Sequence, residues 1–439
     1  MTTVEELFRV LGSMTEAHGG DLSERLSVSR ATLSRLVSRA GEEICRMGRT
    51  RATSYARTRS LPGIGTRLPL YRISDAAQVG SAGELRLLAG GSHWLETQPG
   101  IGTRFEGLPP FAADMSPQGY LGHAFPRRHP ELDLPGRIVD WNDDHRLIAL
   151  ARRGEDCTGD YVIGKESLDR WLEVDLVESR QADYPRLARQ AASGPVGSSA
   201  AGEQPKFTAF AGGRHVLVKF AKPSSGAASR RWSDLLVAES LALGVIHGGG
   251  GAAAEAGWFD VEGERFLEVV RFDRAGARGR KGLVSLAAID NEHYGHADTW
   301  TKAALRMRAD LRISEQDARR MRWLDVFGQL IGNTDRHFGN LSFFPGDVGG
   351  VRLAPAYDML PMFLAPSGAD LVERRFEPAP PTADSLEVWP DAALQAVTFW
   401  ERVAGHDAIS PEVRTIAEGC RDAVSTLYER APVIATPAR

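Results

Sequence analysis

Between residues 332 and 360, three side chains have the types and spacing for phosphoryl transfer. The run Gly332-Asn333-Thr334-Asp335-Arg336-His337-Phe338-Gly339-Asn340 places an aspartate five residues before an asparagine, and Ala356-Tyr357-Asp358-Met359-Leu360 adds a second aspartate 18 residues further on. That chemistry needs one carboxylate to orient an attacking hydroxyl, and an amide and a carboxylate to hold magnesium against phosphates. Asp335 fits the first role, and Asn340 and Asp358 fit the second.

Such a loop has to face elements that carry the phosphates. Only six of the 53 basic residues are lysine, and three of those, Lys206, Lys219 and Lys222, fall within 17 residues of one another. Compact ammonium groups suit phosphate in a way that a planar guanidinium does not reproduce. The segment Ser198-Ser199-Ala200-Ala201-Gly202-Glu203-Gln204-Pro205-Lys206 supplies small residues whose amides can approach phosphate oxygens. The alternation from His215 to Phe220 predicts a strand that sends Lys219 to one face. A short amphipathic helix is expected over 233–242, with Asp234 and Glu239 both candidate partners for Lys219. Phe266 to Arg274 is an apolar strand ending in a charged turn, the form of a nucleotide hinge. The Asp335-to-Asn340 spacing is also that of the protein-kinase catalytic loop.

The chain of 439 residues is 42% hydrophobic and 25% charged, enough for two or three domains with substantial cores. A net charge of -4 gives no global attraction to nucleic acid, and no apolar stretch reaches the roughly 20 residues a membrane span requires. Cys45, Cys157 and Cys420 are isolated, form no CxxC pair, and fit a reducing cytoplasm. His93, His123, His129 and His145 lack metal-ligand spacing. Gly80-Ser81-Ala82-Gly83 and Gly90-Gly91-Ser92 look like boundaries or loops.

The N-terminal region has a charge pattern of its own. From Leu22 to Arg72 there are 11 arginines against three acids. Asp21 to Glu24 has capping-box spacing for one helix, and Ser29 can cap a second that ends near Gly41. In that second helix Leu33, Leu36 and Val37 make an apolar stripe that leaves Arg30, Thr32, Arg35 and Arg39 outside it. Helix-turn-helix proteins present a recognition helix to the major groove in this way. Ser29, Arg30, Thr32 and Arg35 are the base-reading candidates, and Arg49 and Arg51, in a stretch without acids, are the phosphate contacts. With Leu70 to Ile73 as a strand, the pattern suggests a winged helix.

Taken in order, the Gly-rich loop, Lys219, the Arg271-Phe272-Asp273-Arg274 turn, the 332–340 loop and Tyr357-Asp358 resemble the HipA family of serine/threonine kinases, toxins of toxin–antitoxin systems. Gln204-Pro205-Lys206 and Asn333 to His337 carry the likeness, and Gly154-Glu155-Asp156-Cys157-Thr158-Gly159 is similar to an upstream element of the family. The resemblance implies an α+β, two-lobed protein-kinase-like fold with a mostly helical C-terminal lobe, here preceded by the small winged helix-turn-helix domain. It implies Asp335 as the catalytic aspartate and Asn340 and Asp358 as magnesium ligands. ATP would lie on Ala201, Gly202, Glu203, Gln204, Pro205, Lys206, Lys219, His337, Asn340 and Asp358, with Val270, Arg271 and Phe272 at the adenine. It also implies autophosphorylation of Ser199, with Ser198 beside it as the alternative. The expected domains are 1–78 (DNA-binding-like), 79–275 (N-terminal lobe) and 276–439 (catalytic lobe). The resemblance implies a protein substrate, an aminoacyl-tRNA synthetase in studied relatives; the N-terminal domain adds DNA as an expected partner, and a homodimer is open beside a monomer. A small-molecule kinase of the aminoglycoside or choline type, and a transcriptional regulator whose kinase-like part senses a ligand, are the competing readings.

Overall fold

The computed structural model describes residues 3–192, 204–346 and 350–434, and the chain divides into two compact units, 1–117 with 125–175 and 118–124 with 176–439.

The first unit begins with α1 (Val4–Gly12), β1 (Ala17–His18), α2 (Gly19–Arg25), α3 (Arg30–Ala40), β2 (Ile44–Met47) and β3 (Ser54–Arg57), the strands forming a sheet in the order β1-β3-β2. Leu7, Leu11, Leu22, Leu33 and Leu36 make the core of this part, so the apolar stripe expected on α3 faces inward. Ser29 caps α3 by accepting from Thr32 N at 3.2 Å. The capping box expected at Asp21 does not form, because α2 begins two residues earlier behind His18, which makes no side-chain cap.

Next come β4 (Arg67–Ile73), β5 (Val79–Leu87), β6 (His93–Gln98), β7 (Ile101–Phe105), α4 (Pro110–Met115), α5 (Gly119–Arg128), α6 (Asp143–Arg153), β8 (Tyr161–Ile163) and α7 (Lys165–Glu173). The five strands form one sheet, β7-β6-β5-β4-β8. Two expectations change here. The strand at Leu70 to Ile73 forms, but it pairs with β5 and β8 across residue 78 rather than with β2 and β3. Gly80 to Gly83 is no boundary: it lies within β5, where the register slips opposite Leu70 and Tyr71. Gly83, at φ +140, is needed at that irregularity because a Cβ there would lie 2.5 Å from the Glu96 carbonyl oxygen.

His93 is fully buried in this unit, its Nδ1 donating to Gly107 O at 2.6 Å and its Nε2 accepting from Arg59 at 3.2 Å. Burial, and secondarily the Arg59 charge, holds its pKa below the ordinary value. A histidine kept neutral in the fold contributes stability that is full above its unfolded pKa and is lost as the pH falls through the folded value. The melting temperature of this unit should therefore fall as the pH is lowered below about 6.5. His93→Gln should flatten that part of the profile in a scanning calorimeter.

The second unit runs α8 (Tyr184–Ala192), β9 (Lys206–Ala211), β10 (Arg214–Ala221), α9 (Ala227–Gly248), β11 (Ala256–Val261), β12 (Glu264–Val270), β13 (Arg274–Ala275), β14 (Gly279–Arg280), β15 (Val284–Ser285), α10 (Leu286–His293), α11 (Trp300–Ala309), α12 (Glu315–Leu330), β16 (Ser342–Pro345), β17 (Val351–Leu353), α13 (Trp389–Ala404) and α14 (Pro411–Ile434). A four-stranded antiparallel sheet, β11-β12-β10-β9, forms one lobe. The period-2 pattern of β10 sends Val216, Val218 and Phe220 to a core shared with Tyr184 of α8, and turns Lys219 and Ala221 to the opposite face, where Ala221 joins the core that contains α9. Tyr184 also donates to Glu268 at 2.6 Å. The helical lobe is built on Trp300, Phe327, Trp389, Phe399 and Trp400, all at most 2% exposed. No helix among the described residues is long and apolar enough to cross a membrane.

Candidate active site

Two lysines expected near phosphate stand side by side. Lys219 of β10 is directly opposite Lys206 of β9 and Leu267 of β12, and directly opposed residues in an antiparallel pair share a face. Gln204 locks the entry to β9 by donating to Phe220 O at 2.6 Å, and Pro205 accepts from Phe220 N at 3.1 Å. Ala201, Gly202, Glu203 and the serines Ser198 and Ser199 lie outside the described residues.

The choice between Asp234 and Glu239 is decided by α9, which is 22 residues long rather than the ten expected. Glu239 meets Lys219 with both oxygens, at 2.7 and 2.6 Å. Asp234 lies farther back on α9 and instead accepts from Ser410 N at 2.9 Å and Ser410 Oγ at 2.6 Å, tying α9 to the start of α14. Lys219 also donates to Asp358. The side chains of Lys219, Glu239 and Asp358 are 5, 1 and 29% exposed.

This trio governs the electrostatics of the site. Burial pulls the Lys219 pKa down, but Asp358 and Glu239 overcome it and hold the ammonium charged. Burial raises Asp358 as well, yet Lys219 and then Lys206 outweigh it and hold the carboxyl at about 2. Glu239 is pushed up by burial against the pull of Lys219. With one cation between two acids, the more deeply buried Glu239 is the member whose proton is most easily restored.

The loop from Ile331 to Asn340 follows α12. Gly332, at φ +71, allows the turn, since a Cβ there would run into the Phe363 ring. Asn333, 1% exposed, is the fastener: its Oδ1 accepts from Asp335 N at 3.0 Å and its Nδ2 donates to Asp358 O at 3.2 Å. Arg336 donates to Asn333 O and, at 3.1 Å, to the buried Asp325 of α12, which also accepts from Thr301 N at 3.0 Å. Asn340 Nδ2 donates to Asp335 O at 2.9 Å, which leaves the amide oxygen for a cation. Tyr357 donates to Gly339 O at 2.9 Å. Asp335 and His337 stay exposed, the His337 ring nitrogen 3.9 Å from the Asp335 carboxylate. Asp358 itself has φ +52, a left-handed conformation that costs a non-glycine residue energy and gathers at functional sites.

The structure thus joins Lys219 and Asp358 in one ion-pair system with Lys206 opposite Lys219, and brings together Asp335, His337 and Asn340 on one loop fastened to Asp358 by Asn333. Of the hinge residues, Val270 pairs with Val216 and Arg271 N donates to His215 O at 2.9 Å. Phe272 packs against Tyr357 with ring centroids 5.7 Å apart, which sets the hinge next to Asp358. Sequence reasoning gave no role to Asn333, Asp325 or Tyr357. An acid such as Asp325 within the apolar run of α12 was the available signal, since buried acids require partners.

An amide oxygen on Asn340 and a carboxylate on Asp358 suit a hard cation that keeps water and phosphate as its other ligands, as magnesium does. Among the described residues no cluster of three His, Cys, Asp or Glu side chains could serve as a closed metal cage.

In the N-terminal part, Ser29 and Arg30 are exposed at the start of α3, and Thr32 is half-buried. Arg35 lies along its own helix, donating to Thr32 Oγ1 at 3.3 Å. Arg49, exposed, is anchored by its Nε to Pro99 O at 2.7 Å. The Arg51 side chain lies outside the described residues.

A buried lysine on an antiparallel sheet, paired with a glutamate of the adjoining helix and facing an Asp-to-Asn loop on a helical lobe, defines a protein-kinase-like fold. The chain belongs to the HipA family: the HipA-like C-terminal domain matches residues 198–426, and the YjjJ-like toxin middle domain matches residues 64–172. It is 36% identical over 429 residues to Toxin YjjJ of Escherichia coli (strain K12), spanning 93% of this chain and 95% of that one. Among solved structures, the Shewanella oneidensis MR-1 toxin–antitoxin complex of HipA, HipB and operator DNA is similar with a TM-score of 0.55 and 16% identity, over 83% of this chain and 97% of the other, which is a likeness of fold.

Proposed function

We propose that this chain is an ATP- and magnesium-dependent serine/threonine protein kinase of the HipA toxin type. The observation that carries the reading is the fastening of Asp335 to Asp358 by Asn333, while Asp358 is joined to the Lys219–Glu239 pair. Asp335, exposed on its loop, orients the incoming hydroxyl and accepts its proton. Lys219, kept charged by Glu239, and Lys206 beside it position the ATP phosphates. Val270 to Phe272 line the adenine. Magnesium, held by Asn340 and Asp358, would neutralise charge on the transferred phosphoryl group. The linear positioning of groups supplies most of the rate, because a loose transition state leaves little covalent work to the protein.

Self-modification at Ser199, or Ser198, belongs to the same proposal. A doubly charged phosphate on a loop meant to cradle another would repel it and silence the site. Incubation with ATP and magnesium followed by phosphopeptide mapping tests this part. Phosphate on either serine is expected, and phosphate found only elsewhere removes self-silencing.

The N-terminal part reads as a winged helix that binds DNA, with α3 in the major groove and β2–β3 as the wing, a route to autoregulation. Arg30→Ala or Arg35→Ala should each cost roughly 1–3 kcal/mol on the preferred sequence and relax preference there. Arg51→Ala should weaken binding alike on all sequences and lower the salt dependence. Arg49→Ala should behave the same way and should also loosen the Pro99 turn. Mobility shifts across genomic fragments measure both effects, and no shift of any fragment at low salt would exclude DNA binding. The protein substrate that the family implies is a translation protein such as an aminoacyl-tRNA synthetase.

A further inference from the structure

A cavity of about 260 Å³ opens in the helical lobe between the C-terminal end of α9 and the N-terminal turns of α12 and α13. Its walls include Gly249, Arg320, Trp323, Leu324, Val388 and Asp391, none of which the transfer chemistry uses. Arg320 is half-buried there and has no ion-pair partner among the described residues. Its neighbours are committed: Arg319 and Arg322 both pair with Glu387, at 2.9 and 2.7 Å. The one acid in the wall, Asp391, accepts from Trp323 Nε1 at 2.6 Å and forms no ion pair with Arg320. The Trp323 indole is also stacked on Phe327, with centroids 5.0 Å apart, so it forms a fixed aromatic wall.

These features specify a ligand. A half-buried guanidinium with no ion-pair partner among the described residues favours a carboxylate, which it can meet with two parallel hydrogen bonds. A rigid indole flanked by Leu324 and Val388 favours a flat apolar body.

We propose that this cavity binds a small aromatic carboxylate, its carboxylate on Arg320 and its ring against Trp323. The site is tied to the one described above by the backbone. Ala356 N donates to Ala252 O at 3.0 Å and Ala254 N donates to Ala356 O at 2.8 Å, so the turn closing the cavity is bonded to the segment between β17 and Asp358. The binding itself does not depend on the phosphoryl-transfer reading.

Titration of the full chain with phenylacetate and with its neutral counterpart phenylacetamide, followed by calorimetry, tests the proposal. Phenylacetate should saturate in the millimolar range or below, and phenylacetamide should bind about tenfold more weakly or not at all, the ordinary size of a lost charge-assisted contact. Arg320→Gln should lose the difference between the two ligands, and Arg320→Lys should keep part of it. Since Arg320 has no ion-pair partner among the described residues, the unliganded melting temperature of these variants should match that of the wild type. Hydrogen exchange on phenylacetate addition should slow over 249–254 and 316–324. Absence of saturable binding, equal binding of the amide, wild-type discrimination in Arg320→Gln, or protection confined to other segments would each overturn it.

Discussion

Lys219→Met is expected to abolish transfer and to destabilise the second unit together, because it leaves Glu239 and Asp358 facing each other without a cation. Removing one member of a buried ion pair typically costs about 3–5 kcal/mol. The chemical denaturation midpoint should fall accordingly. The loss should also acquire a distinctive pH dependence. In the variant the pull of Lys219 on Glu239 is gone and only the weaker pull of Lys206 opposes its burial, so its folded pKa rises further above the unfolded value of about 4.3. Between the unfolded and folded values the native state then binds more protons than the unfolded chain. Stability therefore falls as the pH rises through that window and is greatest near its acid end. The double variant Lys219→Met/Glu239→Leu should recover much of the stability, since a buried ion pair can be replaced by apolar groups at little cost. It should recover no activity. That combination separates the structural contribution of the pair from its contribution to phosphate positioning. If Lys219→Met unfolds no more easily than the wild type at any pH, the trio does not hold the sheet to the helical lobe.

Asp335→Asn should behave in the opposite way. The Asp335 carboxylate is half exposed, and its side-chain contacts, to Asn340 at 3.5 Å and His337 at 3.9 Å, are loose. The melting temperature should barely move. Nucleotide affinity should be retained, because Lys219, Lys206 and Asp358 are untouched. Turnover should fall by about 10²–10⁴-fold, the usual contribution of a positioned general base. Single-turnover kinetics beside nucleotide binding by calorimetry would show the split, and a parallel loss of both would assign Asp335 to binding instead.

How much of this was legible in the sequence varies with the range of the interaction. Lys219 on a strand face, the α3 stripe and the Ser29 cap follow from periodicity and local capping, and all formed as expected. Asp234 and Glu239 could not be told apart, because five residues on a helix of unknown length point in different directions and only tertiary packing selects one. Asn333 was visible as part of a motif but mute as to role, since the partners that fasten the loop, Asp335 N and Asp358 O, are backbone atoms that a string of letters does not display. Leu70 to Ile73 was recognisable as a strand, yet its sheet was misassigned because its partners lie 6 to 93 residues away along the chain. Gly80 to Gly83 misled for a related reason: glycines that mark a boundary and glycines that let a strand slip its register look identical before pairing is known.

The central claim is that Asp335, Asn340, Asp358 and Lys219 form one working phosphoryl-transfer site, and transfer of labelled γ-phosphate is its most direct measure. Purified wild type and Asp335→Ala would be incubated with labelled ATP and magnesium, alone and with a cell lysate. The wild type is expected to label itself or a discrete lysate protein on serine or threonine, and Asp335→Ala to label neither above background. Absence of labelling by the folded wild type, or equal labelling by both proteins, would contradict the assignment.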